Sequence, residues 1–123
     1  MRAVKVLLSF LILSILAGCS SSDKYCEFVL DSPYFLTEVS NRTVFDKCFI
    51  AYTLRSYRDK NDHLIYVHLI GKYVLDNDPH SAEVFYQFTD KEHYTITDFI
   101  IDGQSEPEVF FMYNMSLLYD ESN

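Results

Sequence analysis

The sequence has no tryptophan and only three glycines, three prolines and three cysteines in 123 residues. Beyond Gly18 only Gly71 and Gly103 remain, so the chain cannot form a glycine-rich phosphate loop or a dinucleotide-binding fingerprint. It also lacks a serine in a Gly-x-Ser-x-Gly turn, where α/β-hydrolases hold their nucleophile. These absences argue against a nucleotide-dependent enzyme and an ordinary serine hydrolase. We predict no catalytic residue and no cofactor.

Positive charge is also scarce, with 10 Lys and Arg against 18 Asp and Glu and a formal net charge of −8. Nucleic acid and anionic lipid surfaces repel an acidic protein, so we expect no nucleic acid partner. The charge fits a basic protein partner, but solubility explains it more simply.

Histidines stand beside carboxylates in three predicted turns, as Asp62-His63, Asp78-Pro79-His80 and Glu92-His93. If these turns met at one end of a sheet, they could hold a divalent metal ion. The ordinary polarity of turns explains the same pattern equally well. We therefore predict no metal site.

The N-terminal segment combines a short basic stretch with an apolar run. Arg2 and Lys5 precede an apolar run of twelve residues from Val6 to Ala17. This length suits the roughly 7–15 residues of a signal peptide core and is too short for the ~20 residues of a membrane-spanning helix. The run ends in Leu16-Ala17-Gly18-Cys19. That motif resembles the lipobox of bacterial lipoproteins, over residues 1–19 alone; an uncleaved apolar anchor ending in cysteine is the alternative.

The resemblance implies that residues 1–18 are removed as a signal peptide and that Cys19 is lipidated, for example with palmitate. Two or more acyl chains hold a protein on a membrane where one does not. Because Ser20 rather than Asp follows Cys19, the resemblance implies the periplasmic face of the outer membrane. The outer leaflet of the inner membrane is the alternative. Loss of Arg2 and Lys5 would change the formal charge from −8 to −10.

The remaining chain is long enough for one domain. Residues 19–24 are small and polar and predict a lipidated tether, which spans about 20 Å when extended. Residues 25–119 predict a single β-rich domain, and residues 120–123 an acidic tail. So short a tether would keep the domain close to its membrane.

With Cys19 acylated, two thiols are left, Cys26 and Cys48. An oxidising periplasm favours a disulfide between them. The bridge would close a loop of about 22 residues and contribute roughly 3 kcal/mol. Two buried thiols or two metal ligands are the alternatives, although two thiols without nearby histidines make a poor zinc site.

Alternating apolar and polar residues predict a series of strands joined by short turns. A first strand is predicted around Cys26, Phe28 and Leu30, and a short helical turn from Ser32 to about Val39. Residues 44–57 fit a helix or a strand, with the aromatic and β-branched content favouring a strand over 48–57. The further predicted strands are His63–Leu75, Ala82–Phe88, Tyr94–Ile101 and Val109–Tyr119.

The strand at residues 63–75 is apolar on both faces, which predicts a central strand that is covered on both sides. The predicted fold class is mainly β, a small antiparallel meander built as a sandwich or barrel. The alternative is an α+β fold, with one helix within residues 33–56 packed on an antiparallel sheet.

Aromatic residues are abundant, with ten tyrosines and ten phenylalanines. A core of this size cannot bury so many rings, and tyrosine is favoured at protein interfaces. Together with the short tether and the missing catalytic motifs, this predicts a non-enzymatic interaction or accessory module of an envelope assembly. The alternative is an inhibitor or immunity lipoprotein against a periplasm-invading hydrolase such as lysozyme. A carrier that holds a small ligand within the sheet is a third interpretation.

Overall fold

The computed structural model describes residues 20–121, with side chains from Lys24 onward. In this range five strands form one antiparallel sheet and three helices accompany it. The predicted signal peptide and Cys19 lie outside the described residues. The helices are α1 (Ser20–Asp31), α2 (Asn41–Cys48) and α3 (Glu108–Glu121); the strands are β1 (Ala51–Arg58), β2 (Ile65–Leu75), β3 (Asp78–Asp90), β4 (His93–Ile101) and β5 (Gln104–Ser105).

The prediction of a mainly β chain folded as an antiparallel meander is confirmed, because each strand pairs with the next in the order β1 to β5. The sheet is open rather than closed into a barrel, and helices take the place of a second sheet against it. The helix that the alternative fold placed within residues 33–56 is also present, as α2. Residues 44–57 therefore contain both the end of a helix and the strand β1.

The helices cover one face of the sheet, which we call the inner face. Register brings Val67, Leu69 and Tyr73 of β2 together with Val84 and Tyr86 of β3 on this face, and all five are buried. Aromatic rings join the helices to it. The ring pairs are Tyr25–Phe88, Phe28–Tyr94, Phe45–Tyr52 and Phe111–Phe99.

The predicted first strand, around residues 26–30, is wrong: these residues belong to α1. Cys26, Val29 and Leu30 are all buried, at the i, i+3, i+4 spacing of one helix face. Apolar residues also occupy alternate positions here, and a segment this short does not separate the two periods.

Residues 20–24, which were predicted as an extended tether, are helical and belong to α1. A helix rises only about 1.5 Å per residue, so residues 20–24 reach less far than an extended chain would. Five of the six residues predicted as a tether are therefore helical.

The predicted last strand, Val109–Tyr119, is also wrong, because this segment is α3. Its buried residues Phe111, Asn114, Met115 and Leu118 follow a helical spacing. The helix carries its own large apolar side chains on all sides. Those at alternate positions therefore also fit the pattern of a strand. The helix continues to Glu121, into the predicted acidic tail at 120–123.

Cys26 and Cys48 are both buried, and no disulfide joins them in residues 20–121. The Cys48 thiol donates to the backbone carbonyl of Met115, with 3.4 Å between Sγ and O. Burial raises the pKa of Cys48 to about 11. Since α1 packs against α2, both thiols lie in the same helical layer. The bridge between them stays a prediction.

The segment from Ser32 to about Val39, predicted as a short helical turn, is an irregular loop closed by a single bridge between Pro33 and Ser40. Ser40 then caps α2, because its hydroxyl accepts a hydrogen bond from the Thr43 backbone N–H at 3.2 Å. The buried Asn41 side chain donates to the Val29 carbonyl at 2.7 Å and ties α2 to α1.

Candidate functional site

The sheet brings the predicted turn histidines to two different ends. His80 lies beside the β4–β5 turn, whereas His63 and His93 lie at the opposite end. His80 is hydrogen-bonded to Asp102, and His93 is hydrogen-bonded to Asp90. Over residues 20–121 no group of three His, Cys, Asp or Glu side chains could hold a metal ion.

One end of the sheet is strongly acidic. It comprises residues 75–80 and 101–110, which contain the β2–β3 turn, the β4–β5 turn and the start of α3; we call it the acidic end. These sixteen residues include no lysine or arginine. The negative potential of such a region attracts cationic groups. Its carboxylates are Asp76, Asp78, Asp102, Glu106 and Glu108.

A pocket of about 460 Å³ opens at the acidic end, and we call it the Tyr73 pocket. Strand β2 supplies Tyr73, β3 supplies His80 and the β4–β5 turn supplies Asp102. Glu106 comes from the segment between β5 and α3, and Phe110 from α3. Its size is within the range of pockets that hold a small ligand or one protein side chain. The pocket therefore combines two carboxylates, a histidine and two aromatic rings.

The Tyr73 hydroxyl is the unusual group in this pocket. Tyr73 is 1% exposed, and its hydroxyl has no hydrogen-bond partner in the described part of the chain. Such a group costs about 1–3 kcal/mol when it is buried without a partner. Burial and the nearby Asp102 carboxylate raise its pKa to about 12, so the hydroxyl stays protonated. Tyr73 thus lines the pocket, while its hydroxyl oxygen has no access to solvent.

His80 is held in place between this tyrosine and Asp102. The His80 ring stacks on the Tyr73 ring, with 5.2 Å between the centroids. Its Nδ1 lies 2.7 Å from one oxygen of Asp102, while the other oxygen accepts from the Ser81 backbone N–H at 2.9 Å. With Nδ1 engaged, Nε2 is the histidine nitrogen that can contact a ligand.

Replacement of His80 by phenylalanine is expected to raise the pKa of Asp102 towards its usual value. The His80 hydrogen bond is the largest cause that lowers this pKa, and the Ser81 N–H is the second. A lowered folded-state pKa means that Asp102 stabilises the fold above about pH 4, and that this contribution is lost as pH falls through the folded pKa. The variant should therefore lose less stability than the wild type on acidification.

Carboxyl-carbon NMR titration of Asp102 and urea unfolding at neutral and acidic pH measure both effects. His93→Phe is the matched control for the Asp102 pKa, because His93 is hydrogen-bonded to Asp90 at the other end of the sheet. An Asp102 pKa that is the same in His80→Phe and in the wild type would contradict the expectation.

A second candidate surface is the face of the sheet opposite the helices, which we call the open face: the outward residues of β1–β4. No described element covers it. Uncovered faces of antiparallel sheets are usually polar, yet Ile70 at its centre is 38% exposed. The prediction that β2 is central is right, whereas the prediction that it is covered on both sides is wrong for residues 20–121.

Aromatic rings on the open face are stacked in pairs. Tyr57 stacks on Tyr66 with centroids 5.6 Å apart, and His68 stacks on Phe85 at 4.2 Å. The Tyr66 hydroxyl donates to an Asp62 carboxylate oxygen at 2.7 Å. Side chains that are ordered in this way lose little entropy when a partner covers them.

An apolar groove of about 240 Å³ lies between the 33–39 loop, α2 and α3. Tyr34 lines it, and the buried Tyr34 hydroxyl has no hydrogen-bond partner among the described residues. Burial raises the pKa of this tyrosine well above its usual range. The groove lies between the loop and the two helices. The carrier interpretation placed a ligand elsewhere, within the sheet.

Sequence reasoning anticipated a surplus of aromatic residues but did not single out the Tyr73 pocket. The one local signal for it was Asp102-Gly103, whose positive φ angles of 52° and 85° are those of a tight hairpin turn. This turn aims the Asp102 carboxylate back at β3. None of the described helices is long and apolar enough to cross a membrane.

Comparison with known proteins gives no match: no family model, no curated protein and no solved structure is significantly similar to this chain.

Proposed function

We propose that this protein is a non-enzymatic interaction module, anchored through a lipid on Cys19 to the periplasmic face of the outer membrane, that binds a basic partner protein through its acidic end. The partner belongs to an envelope assembly. The Tyr73 pocket carries this proposal, because it combines two carboxylates with two aromatic rings in a region that lacks any lysine or arginine.

The pocket suits an arginine side chain of the partner. A guanidinium donates hydrogen bonds in a plane, pairs with carboxylates such as Asp102 and Glu106, and stacks on aromatic rings. Phe110 at the pocket is 42% exposed and offers a ring face to the cation.

The surroundings of the pocket resemble the anatomy of a protein interface. Val109 and Tyr113, on the same helix as Phe110, are also exposed. Aromatic anchors next to a pocket, with a charged rim, are the usual arrangement of residues that contribute most to binding.

The position of α1 supports a periplasm-facing acidic end. Tyr25, near the start of α1, packs against Phe88, with ring centroids 5.0 Å apart. Phe88 lies next to the β3–β4 turn, at the end of the sheet opposite Asp102. Because Cys19 directly precedes α1, its lipid would hold that opposite end near the membrane and leave the acidic end directed away from it.

Charge reversal at the acidic end tests the proposal. The double variant Glu106→Lys/Glu108→Lys changes a half-buried and an exposed carboxylate, neither of which forms an ion pair within residues 20–121. The matched control is Glu92→Lys at the opposite end. All forms are used as bait, with crosslinking, on detergent-solubilised envelopes.

We expect the wild type and the control to recover the same basic protein, and the double variant to lose about tenfold or more of it. Equal recovery by all three forms would overturn the assignment of the acidic end. Repeated absence of any protein partner would overturn the interaction module itself.

The same acidic end also favours the second candidate, an inhibitor or immunity lipoprotein that blocks a basic hydrolase reaching the periplasm. Electrostatic complementarity would speed such binding. Lysozyme is the probe for this function, and inhibition should weaken in Glu106→Lys/Glu108→Lys. Lysozyme activity that stays unchanged with excess protein excludes lysozyme as the target.

A further inference from the structure

We propose that the open face binds a second copy of this chain, so that two open sheets form a face-to-face dimer. The charges on this face are divided between its two halves. The β1–β2 half carries Arg55 and Lys72, whereas the β3–β4 half carries Glu83 and Asp98. Register places all four on the open face, with Arg55 and Asp98 in the same cross-strand row.

This arrangement is self-complementary. A two-fold axis that runs along the strand direction between two stacked open faces places β1 over β4 of the second copy and β2 over β3. The cationic half of each copy then covers the anionic half of the other. A two-fold axis across the strands would instead stack β1 on β1 and bring like charges together.

The same axis is compatible with attachment of both copies to one membrane. Rotation about the strand direction leaves both copies pointing the same way. The two α1 N-termini, each preceded by Cys19, therefore lie at the same end of the dimer. This point rests on the proposed lipid anchor, whereas the charge argument does not.

The four charges are available for such pairing. Neither Arg55 nor Lys72 forms an ion pair within residues 20–121. Glu83 contacts His68 at 2.8 Å, and Asp98 accepts from Ser105 at 2.7 Å, which leaves each carboxylate able to accept more hydrogen bonds. Two cations and two carboxylates make the strands of this face formally neutral in an acidic protein. Its charge thus favours a second copy over a basic partner.

The area of the face is sufficient for a weak dimer. Four strands spaced by ~4.8 Å, with ~3.4 Å per residue from Tyr66 to Val74, give a patch of about 19 Å by 27 Å. Two copies would together bury about 1,000 Å², the lower limit for a specific interface. Tyr57, Ile70 and Val74 are its exposed apolar residues. We therefore expect dissociation in about the micromolar range.

Sedimentation equilibrium of the mature chain, residues 19–123, tests the proposal, with Cys19 replaced by serine so that no lipid contributes to association. Arg55→Glu/Lys72→Glu makes the whole face anionic, and Glu83→Lys/Asp98→Lys makes it cationic. Lys91→Glu/Glu92→Lys, on the β3–β4 turn, is the control. Urea unfolding verifies that every form is folded.

We expect the wild type and the control to dimerise and each charge-reversal variant alone to weaken dimerisation by about tenfold or more. An equimolar mixture of the two variants should restore the dimer mass, because an anionic face then meets a cationic one. A wild type that stays monomeric at all concentrations would overturn the proposal, as would variants that dimerise as well as the wild type. Arg55→Glu/Lys72→Glu removes no side-chain contact with the acidic end, whereas Asp98→Lys removes the hydrogen bond from Ser105, so the first double variant separates this result from the proposed function.

Discussion

Replacement of Phe111 by alanine is expected to lower the free energy of unfolding by about 3–5 kcal/mol. Phe111 is 1% exposed, and its ring lies 5.0 Å from that of Phe99 in β4. The truncation removes a buried ring and leaves a cavity between α3 and the sheet, which the surrounding helices cannot fill. Urea unfolding followed by circular dichroism measures the loss.

The neighbouring Phe110 is the matched control, because the same substitution there removes a ring that is partly exposed. Phe110→Ala should cost about 1 kcal/mol or less. A second pair tests the helical register of α3. In the helix Leu118 is buried and Leu117 only half-buried, so Leu118→Ala should be the more destabilising of the two. The reverse order would contradict the helix and favour a strand.

Replacement of Gly71 by alanine is expected to lower the free energy of unfolding by about 1–3 kcal/mol, although it adds a single methyl group. A Cβ atom at Gly71 would lie 2.7 Å from the Phe49 ring. That ring is itself buried and packed between the rings of Phe45 and Tyr73, so it cannot move aside cheaply. The glycine is therefore required by a close approach between β2 and the segment that follows α2.

Ala51→Val is the control for Gly71→Ala, because it adds methyl groups at an exposed position of the adjacent strand. It should leave stability within about 0.5 kcal/mol of the wild type. In the double variant Gly71→Ala/Phe49→Leu the smaller side chain should relieve part of the clash, and a double-mutant cycle measures this coupling. Strictly additive effects would show that Phe49 is not the cause.

The sheet was predictable because its signals are local. Strands β2, β3 and β4 show alternating or β-branched sequences bounded by polar turns, and the predicted limits of β4 differ from the structure by one residue. Side chains that alternate along a strand show a two-residue period in the sequence itself, whatever packs against the strand. The Asp102-Gly103 turn likewise carries its own conformational preference.

The two misassigned helices lack such a signal. In α1 the buried residues Cys26, Val29 and Leu30 lie in a stretch so short that a strand fits it equally well. In α3 apolar residues occur on all sides of the helix, so neither the helical period nor the strand period dominates the sequence. Contact with the sheet determines that these segments are helical, because a helix there can bury residues such as Phe111 and Leu118 on one side.

The candidate site depended still more on distant contacts. Tyr73 and Asp102 are almost thirty residues apart, and no local pattern indicates that they line the same pocket. The open face is a similar case. The sequence shows that β2 is apolar on both sides, but it does not show that the helices cover one side only.

The sequence by itself thus determined a meander of antiparallel strands, an excess of acidic charge and an excess of aromatic rings, because composition and short-range periodicity are properties of neighbouring residues. Only the tertiary structure decided that α1 and α3 are helices, that the rings divide between an inner face and an open face, and that carboxylates gather around Tyr73. Each of these depends on packing between segments far apart in the chain, where burial outweighs local preference.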